Sequence, residues 1–263
     1  MLVDRGHSFI PIGPIVARLH ERSVMSNEEV VELAYTARDL TDQDSAYLIQ
    51  RVAQFDTEEA YGVAEHHFAQ SAFSSAVRYM LELGGDAALD HLLQSYLSDD
   101  RHLVRWVIAR AVRRHADRDR AVKRLAFWVQ GNSVDRRVGA ATLLGWVPGA
   151  RSAELLGRLA ADPVPEVADA ALAAEARRKS EDHARVLIGE LAGADHLGRW
   201  ARLQAIIELV DPYLLERDPD GLQLGGVINS FGVAFVMSAK RMIKARKDKL
   251  EKDADRRDRA AKA

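Results

Sequence analysis

The sequence predicts an all-α fold, an α-solenoid of stacked antiparallel helical hairpins, from three observations. First, a helix-capping Asp or Ser is repeatedly followed, five positions later, by a bulky apolar residue and then by further apolar or small residues at helical spacing. The four caps are Asp99, Ser133, Asp162 and Asp195, and the apolar residues are Val104, Val138, Val167 and Trp200. Second, the caps lie 34, 29 and 33 residues apart, which leaves room for one more helix in each interval. Third, we find no alternating run of β-branched residues bounded by turns, so no strand is predicted.

The N-terminal part, residues 1–85, is predicted to be a helical cap or a set of degenerate repeats. Ser26 with Glu29, and Thr41 with Asp44, form capping boxes that should open helices ending near residues 40 and 55. Two more helices are expected at 58–70 and 72–83, and the second should end at the Gly84-Gly85 pair. Irregular repeats are typical of the end of a solenoid, where one face meets water.

Residues 86–210 are predicted to form the regular repeats. The first helices of the hairpins are expected at 87–97, 118–130, 151–161 and 182–192, and the second helices at 101–115, 134–147, 165–178 and 196–210. Residues 211–221, which contain Pro212, Pro219 and Gly221, are predicted to be a connector.

Residues 222–263 are predicted to form an apolar helix followed by a basic charged tail. The eighteen residues from Leu222 to Ala239 contain no charge. We expect this segment to pack against the end of the solenoid or against a second protomer. Membrane contact is the alternative, although three glycines and several polar side chains weaken it.

The pattern of Asp, then Val-Arg, then Ala in Asp99 to Ala109, found in degraded form in Asp162 to Leu172, resembles HEAT repeats, especially the short bacterial kind. The resemblance covers about half of the chain. It implies a scaffold that binds protein or nucleic-acid partners. Certain bacterial DNA glycosylases are also built from HEAT-like repeats, but no motif of theirs matches this chain residue by residue.

Composition and motifs argue against catalysis and against metal or cofactor binding. The chain of 263 residues is 48% hydrophobic and has no cysteine, which excludes disulfides and thiolate metal sites. His66 and His67 are adjacent and so do not form the i, i+4 pair of a zinc helix. We find no nucleophile motif, no phosphate-binding glycine loop and no export signal, so we predict a cytoplasmic, non-enzymatic protein without cofactor or small-molecule substrate.

The charge distribution selects a candidate binding surface. The net charge is -2, yet residues 101–137 contain eleven Lys or Arg against three Asp. On the helix that begins at this stretch, the apolar residues share one side, and we expect the arginines and Trp106 to point the other way. The following helix should present cations and Phe127 to solvent. The candidate partner-binding residues are Arg101, Arg105, Trp106, Arg110, Arg113, Arg120, Lys123, Arg124, Phe127, Arg136 and Arg137.

We therefore predict a HEAT-like adaptor that holds an acidic protein partner through these residues. The competing interpretation of the patch is structural: Trp106 packs against the next repeat and the arginines only cover surface. Two other functions stay open. One is nucleic-acid binding through 101–137, and the other is membrane association through 222–249, with self-association through 222–239 as a variant.

Overall fold

The computed structural model describes residues 12–22, 24–71, 74–99, 101–114, 118–215, 222 and 224–262. Within these ranges the regular secondary structure is entirely helical. The all-α prediction is therefore confirmed for the described part of the chain. Contacts divide the chain into two compact units, Met1–Ser95 and Tyr96–Ala263.

The first unit is built from short helices whose starts are set by local capping. Its helices are α1 (Ile12–Glu21), α2 (Asn27–Thr36), α3 (Asp42–Val52), α4 (Thr57–Ser71) and the first part of α5 (Ser74–Ser98). Both predicted capping boxes are present: Ser26 Oγ accepts the Glu29 N–H at 3.2 Å, and Thr41 Oγ1 accepts the Asp44 N–H at 3.1 Å. Helix α3 packs against α1, α2 and α4.

A buried histidine joins three helices of this unit. His67 Nε2 on α4 lies 2.7 Å from the Ala34 carbonyl of α2, and Nδ1 lies 2.8 Å from Ser45 Oγ on α3. Because a carbonyl can only accept, the neutral ring carries its hydrogen on Nε2 and accepts from Ser45. Burial lowers the pKa of His67, against the opposing effect of the Ala34 carbonyl. In the described part of the chain, no group of three or more His, Asp or Glu could hold a metal ion.

The predicted break at Gly84-Gly85 is present as a kink within α5. Gly85 has φ 53° and ψ -128°, a conformation that a residue with a Cβ rarely adopts, and helical geometry resumes on both sides. The start of the predicted helix, residues 72–73, lies outside the described residues.

The second unit contains six consecutive helices after the end of α5. These are α6 (His102–Arg114), α7 (Arg118–Gln130), α8 (Val134–Leu144), α9 (Ala150–Ala160), α10 (Pro165–Glu190) and α11 (His196–Leu209). The predicted separation of helices 165–178 and 182–192 is wrong, because α10 runs without interruption for 26 residues. The segment Lys179–Ser180–Glu181 contains no helix breaker, and Ser180 Oγ donates to the Ala176 carbonyl at 3.1 Å inside the helix.

The C-terminal segment differs from the single apolar helix predicted for its first half. A 3₁₀ turn (Pro212–Leu215) is followed by α12 (Leu224–Ile228), a second 3₁₀ turn (Asn229–Phe231) and α13 (Val233–Lys262). The apolar run is interrupted at Gly232, whose φ is 87°. The predicted basic tail is helical through Lys262, and residues 216–221 of the predicted connector lie outside the described residues.

The apolar run supplies the core at this end of the second unit. Its buried side chains form one cluster with those of α10 and α11, and they include Leu222, Leu224, Ile228, Phe235 and Ala239. Of the described helices, none is both long enough and apolar enough to span a bilayer.

Candidate partner-binding surface

Helix α6 is covered on more sides than its sequence pattern predicts. Val104, Val107 and Ile108 are buried as expected, but Arg110 and Arg113 are only 7% and 1% exposed. The predicted outward orientation of these two arginines is therefore wrong. Helix α13 packs along α6. At its far end, Asp258 Oδ1 and Oδ2 accept the His102 and Leu103 N–H groups at the start of α6, at 2.6 and 3.3 Å.

Arg113 is held by a carboxylate that lies far away in the sequence. Its Nη1 donates to the Trp146 carbonyl at 2.8 Å and lies 3.1 Å from Glu181 Oε2 on α10. Both side chains of this ion pair are buried. Burial raises the pKa of Glu181, and the positive charge of Arg113 acts against that shift. Arg113 is thus part of the interior and offers no contact to a partner.

Trp106 and Arg110 share a second acidic residue from outside α6. Trp106 Nε1–H donates to Asp211 Oδ2 at 2.8 Å, and Arg110 Nε lies 3.5 Å from the same oxygen. The Arg110 guanidinium carbon lies 3.4 Å from the centre of the Trp106 ring, in cation–π stacking. Trp106 is therefore a packed residue, as the competing structural interpretation predicts.

Asp99 and Asp162, two of the four predicted caps, accept hydrogen bonds from arginines as well as from backbone N–H groups. Arg101 donates to both Asp99 carboxylate oxygens, with Nη2 to Oδ2 at 2.6 Å, and the side-chain hydrogen bond from Arg101 is the main cause that lowers the pKa of Asp99. Arg105 Nε donates to the Asp99 carbonyl at 2.7 Å. Arg137 Nε donates to Asp162 at 2.8 Å. Six of the eleven candidates are thereby engaged with other parts of the second unit, namely Arg101, Arg105, Trp106, Arg110, Arg113 and Arg137.

The structure also reveals polar residues that sequence analysis did not select. Glu181 and Asp211, together with Arg177, line a cavity of about 250 Å³ between Trp106 and Trp146. The Arg177 guanidinium carbon lies 4.7 Å from the centre of the Trp146 ring, and burial lowers the pKa of Arg177. The signal available in the sequence is indirect: buried arginines require carboxylates, but spacing alone does not say which ones.

The remaining five candidates lie on or beside α7, and four of them are exposed. Phe127 is 73% exposed, although it is a large aromatic residue. Arg120, Lys123 and Arg136 are exposed, and Arg124 is partly buried. Phe127 lines an open groove of about 510 Å³, together with Asp119, Val122, Lys123, Ala126, Gln130 and Arg151. We refer to this surface as the α7 groove.

Comparison of the chain with protein-family models, with curated proteins and with solved structures gives no match. The function must therefore be argued from the chain's own residues.

Proposed function

We propose that this chain is a non-enzymatic, HEAT-like scaffold that binds an acidic segment of a protein partner in the α7 groove. The observation that carries the proposal is the exposed ring of Phe127. Aromatic residues, Phe among them, are enriched at protein interfaces relative to the rest of the surface, and this ring lies in one groove with the apolar residues Val122 and Ala126.

The groove combines apolar contact area with two cations and one carboxylate, Asp119. Val122 and Ala126 lie along the groove with Phe127, and Lys123 and Arg151 supply cations to its lining. Arg151 already pairs with Glu154, Nη1 to Oε2 at 2.6 Å, so Lys123 is the cation of the lining that is most available to a partner. A partner segment with an apolar side chain next to carboxylates would fit this surface. The apolar side chain would contact Phe127, and the carboxylates would lie beside Lys123.

The neighbouring exposed cations extend the favourable field. Arg120 is on α7, and Arg136 is in the first turn of α8, which packs against α7. Rim charges of this kind mainly accelerate association and select the sign of the partner's charge, whereas an aromatic anchor that becomes buried on binding contributes most of the affinity. In this proposal the α6 arginines hold the scaffold together and do not contact the partner.

Affinity capture from native cells with three tagged proteins tests the proposal. These are the wild type, the groove variant Lys123→Glu/Phe127→Ala, and the control variant Leu172→Ala/Lys179→Glu. The control removes an exposed apolar residue and an exposed cation on α10, outside the groove. We expect a protein that the wild type and the control retain and the groove variant loses, with nuclease treatment making no difference.

Two other results of the capture experiment would contradict a protein partner in the α7 groove. Equal retention by all three proteins would exclude the groove as the binding surface. Retention that disappears after nuclease treatment would favour a nucleic-acid partner, since an aromatic ring among cations can also stack bases and contact phosphates. In that case, binding of the pure chain to single-stranded and duplex DNA should weaken steeply as salt is added.

A further inference from the structure

The solvent face of α13 begins with exposed apolar residues. Val233 is 80% exposed and Met237 is 49% exposed, and residues four apart lie on the same side of a helix. The opposite side of α13 is fixed, because Phe235, Ala239 and Ile243 are buried in the cluster with α11. The Val233–Met237 side is therefore held toward solvent by the packing of the rest of the helix.

Cations continue the same face. Lys240, Arg241 and Lys244 are exposed, and at 100° per residue they lie within about 60° of the line through Val233 and Met237. The first acidic residue of α13 is Asp248. The face thus changes from apolar to purely basic over its first three turns, and it becomes mixed in charge only beyond them.

Aromatic side chains support this end of the helix. The ring centre of Phe231 lies 5.4 Å from that of Phe235, and the guanidinium carbon of Arg199 lies 4.5 Å from the Phe231 ring centre. Trp200 packs on Phe235 with ring centres 4.5 Å apart. Phe231 and Trp200 are each only partly buried, so this aromatic cluster reaches the surface near the start of α13.

We propose that the first three turns of α13, the α13 tip, dock on the surface of an anionic lipid membrane. Val233 and Met237 enter the boundary between headgroups and acyl chains, and Lys240, Arg241 and Lys244 contact lipid phosphates. The order of the residues favours a lipid surface. Apolar residues at the start of the helix can reach the acyl chains, and the cations that follow them then lie at the level of the anionic headgroups. The contact is peripheral, and it does not depend on the α7 groove.

Co-sedimentation of the full chain with vesicles tests the proposal. We would compare phosphatidylcholine vesicles with vesicles that contain phosphatidylserine, at low and at high salt. The charge variant is Lys240→Glu/Arg241→Glu/Lys244→Glu, and the apolar variant is Val233→Ser/Met237→Ser. The matched control is Leu172→Ser/Val186→Ser, which removes two exposed apolar residues from α10.

The wild type and the control should bind the anionic vesicles, and high salt should release them. Each cation removed should weaken binding roughly fivefold, so the charge variant should bind at least about 100-fold more weakly. The apolar variant should lose about tenfold. Because all the substituted side chains are exposed, thermal melting should be unchanged in every variant.

Three results would overturn the proposal. The first is a wild type that does not pellet with phosphatidylserine vesicles at low salt. The second is equal binding by the tip variants and the control. The third is a wild-type dimer in sedimentation velocity that Val233→Ser/Met237→Ser converts to a monomer, which would show that a second copy covers the α13 tip.

Discussion

Helices α6 and α7 follow one another in the chain and both combine several cations with aromatic residues, yet they use them in opposite ways. Four residues of α6 are bound to carboxylates or carbonyls of the same unit, namely Arg105, Trp106, Arg110 and Arg113. The exposed residues of α7, with Phe127 foremost, line an open groove. A basic and aromatic stretch can therefore serve as a binding surface only on a side that no other helix covers, and the proposed function uses such a side of α7.

The cations of a helix are buried or exposed according to whether segments distant in the sequence pack over them. Helix α6 lies against α13, and its buried cations meet Glu181 of α10 and Asp211 after α11. A buried ion pair contributes little net stability compared with apolar packing, but a buried charge that loses its partner is strongly destabilising. The buried cations of α6 should therefore matter for folding, whereas the exposed Lys123 of α7 should matter for the proposed binding.

The largest effect should come from Arg113→Ala. This change leaves Glu181 as a buried carboxylate without its ion-pair partner, so we expect the free energy of unfolding to fall by about 3–5 kcal/mol. Lys123→Ala on the exposed face of α7 should change it by less than about 0.5 kcal/mol. Urea unfolding followed by circular dichroism measures both.

A double variant checks the cause of that loss. Arg113→Met combined with Glu181→Leu removes both charges, so it should be clearly more stable than Arg113→Ala. If Arg113→Ala and Lys123→Ala lowered the free energy of unfolding by equally small amounts, the proposed difference between the cations of α6 and α7 would be wrong.

Phe127→Ala should have the next largest effect, but on binding. Removing an aromatic anchor should weaken the partner retained by the α7 groove by at least about 2 kcal/mol, roughly 30-fold in Kd. The free energy of unfolding should hardly change, because the ring is mostly exposed. Titration calorimetry with the captured partner measures the first quantity, and urea unfolding measures the second. A large decrease in the free energy of unfolding would instead show that Phe127 stabilises the fold.

The features that the sequence predicts correctly are mostly local, although the N-cap of α10 is Val164 and not the predicted Asp162. Ser26, Thr41, Ser133 and Asp195 cap the helices that follow them, because the capping atoms lie within three residues of their partners. The kink at Gly85 is local in the same sense, since it needs only a residue without a Cβ.

The features that the sequence misses depend on distant contacts. Nothing near Arg113 indicates that Glu181 will face it, so a helical wheel with one buried face places the arginine outside. The continuity of α10 is a different case, because residues 179–181 contain no helix breaker and the local sequence therefore allows the helix to continue. The sequence places the candidate surface within residues 101–137. Which cations of that range are exposed and which are buried in ion pairs depends on tertiary packing.

Trp106→Phe should have a smaller effect than either change above. The ring volume is largely kept, but the Nε1–H donor to Asp211 is lost, so we expect a loss of about 1–2 kcal/mol in the free energy of unfolding. Trp128→Phe on α7 is the paired control, since Trp128 is only partly buried and its change leaves the α6 network intact. A weaker affinity for the partner with unchanged stability would return Trp106 to the binding surface.

The smallest effect should be a pH dependence from Asp99, which ties the start of α6 to its arginines. Hydrogen bonding to Arg101 lowers the pKa of this carboxyl from its ordinary value of 3.8, so at acidic pH the unfolded chain binds more protons at this position than the folded chain does. The stabilisation is complete at about pH 5 and above, roughly one unit above the ordinary pKa, and is lost as the pH falls through the folded pKa. In urea unfolding between pH 6 and pH 3, the stability advantage of the wild type over Asp99→Asn should therefore shrink toward acid pH. Arg101→Ala should reduce that pH dependence, because it removes the main cause of the lowered pKa. An advantage that grows toward acid pH would reverse the sign assigned to Asp99 and would remove the argument that the basic residues around α6 are neutralised within the fold.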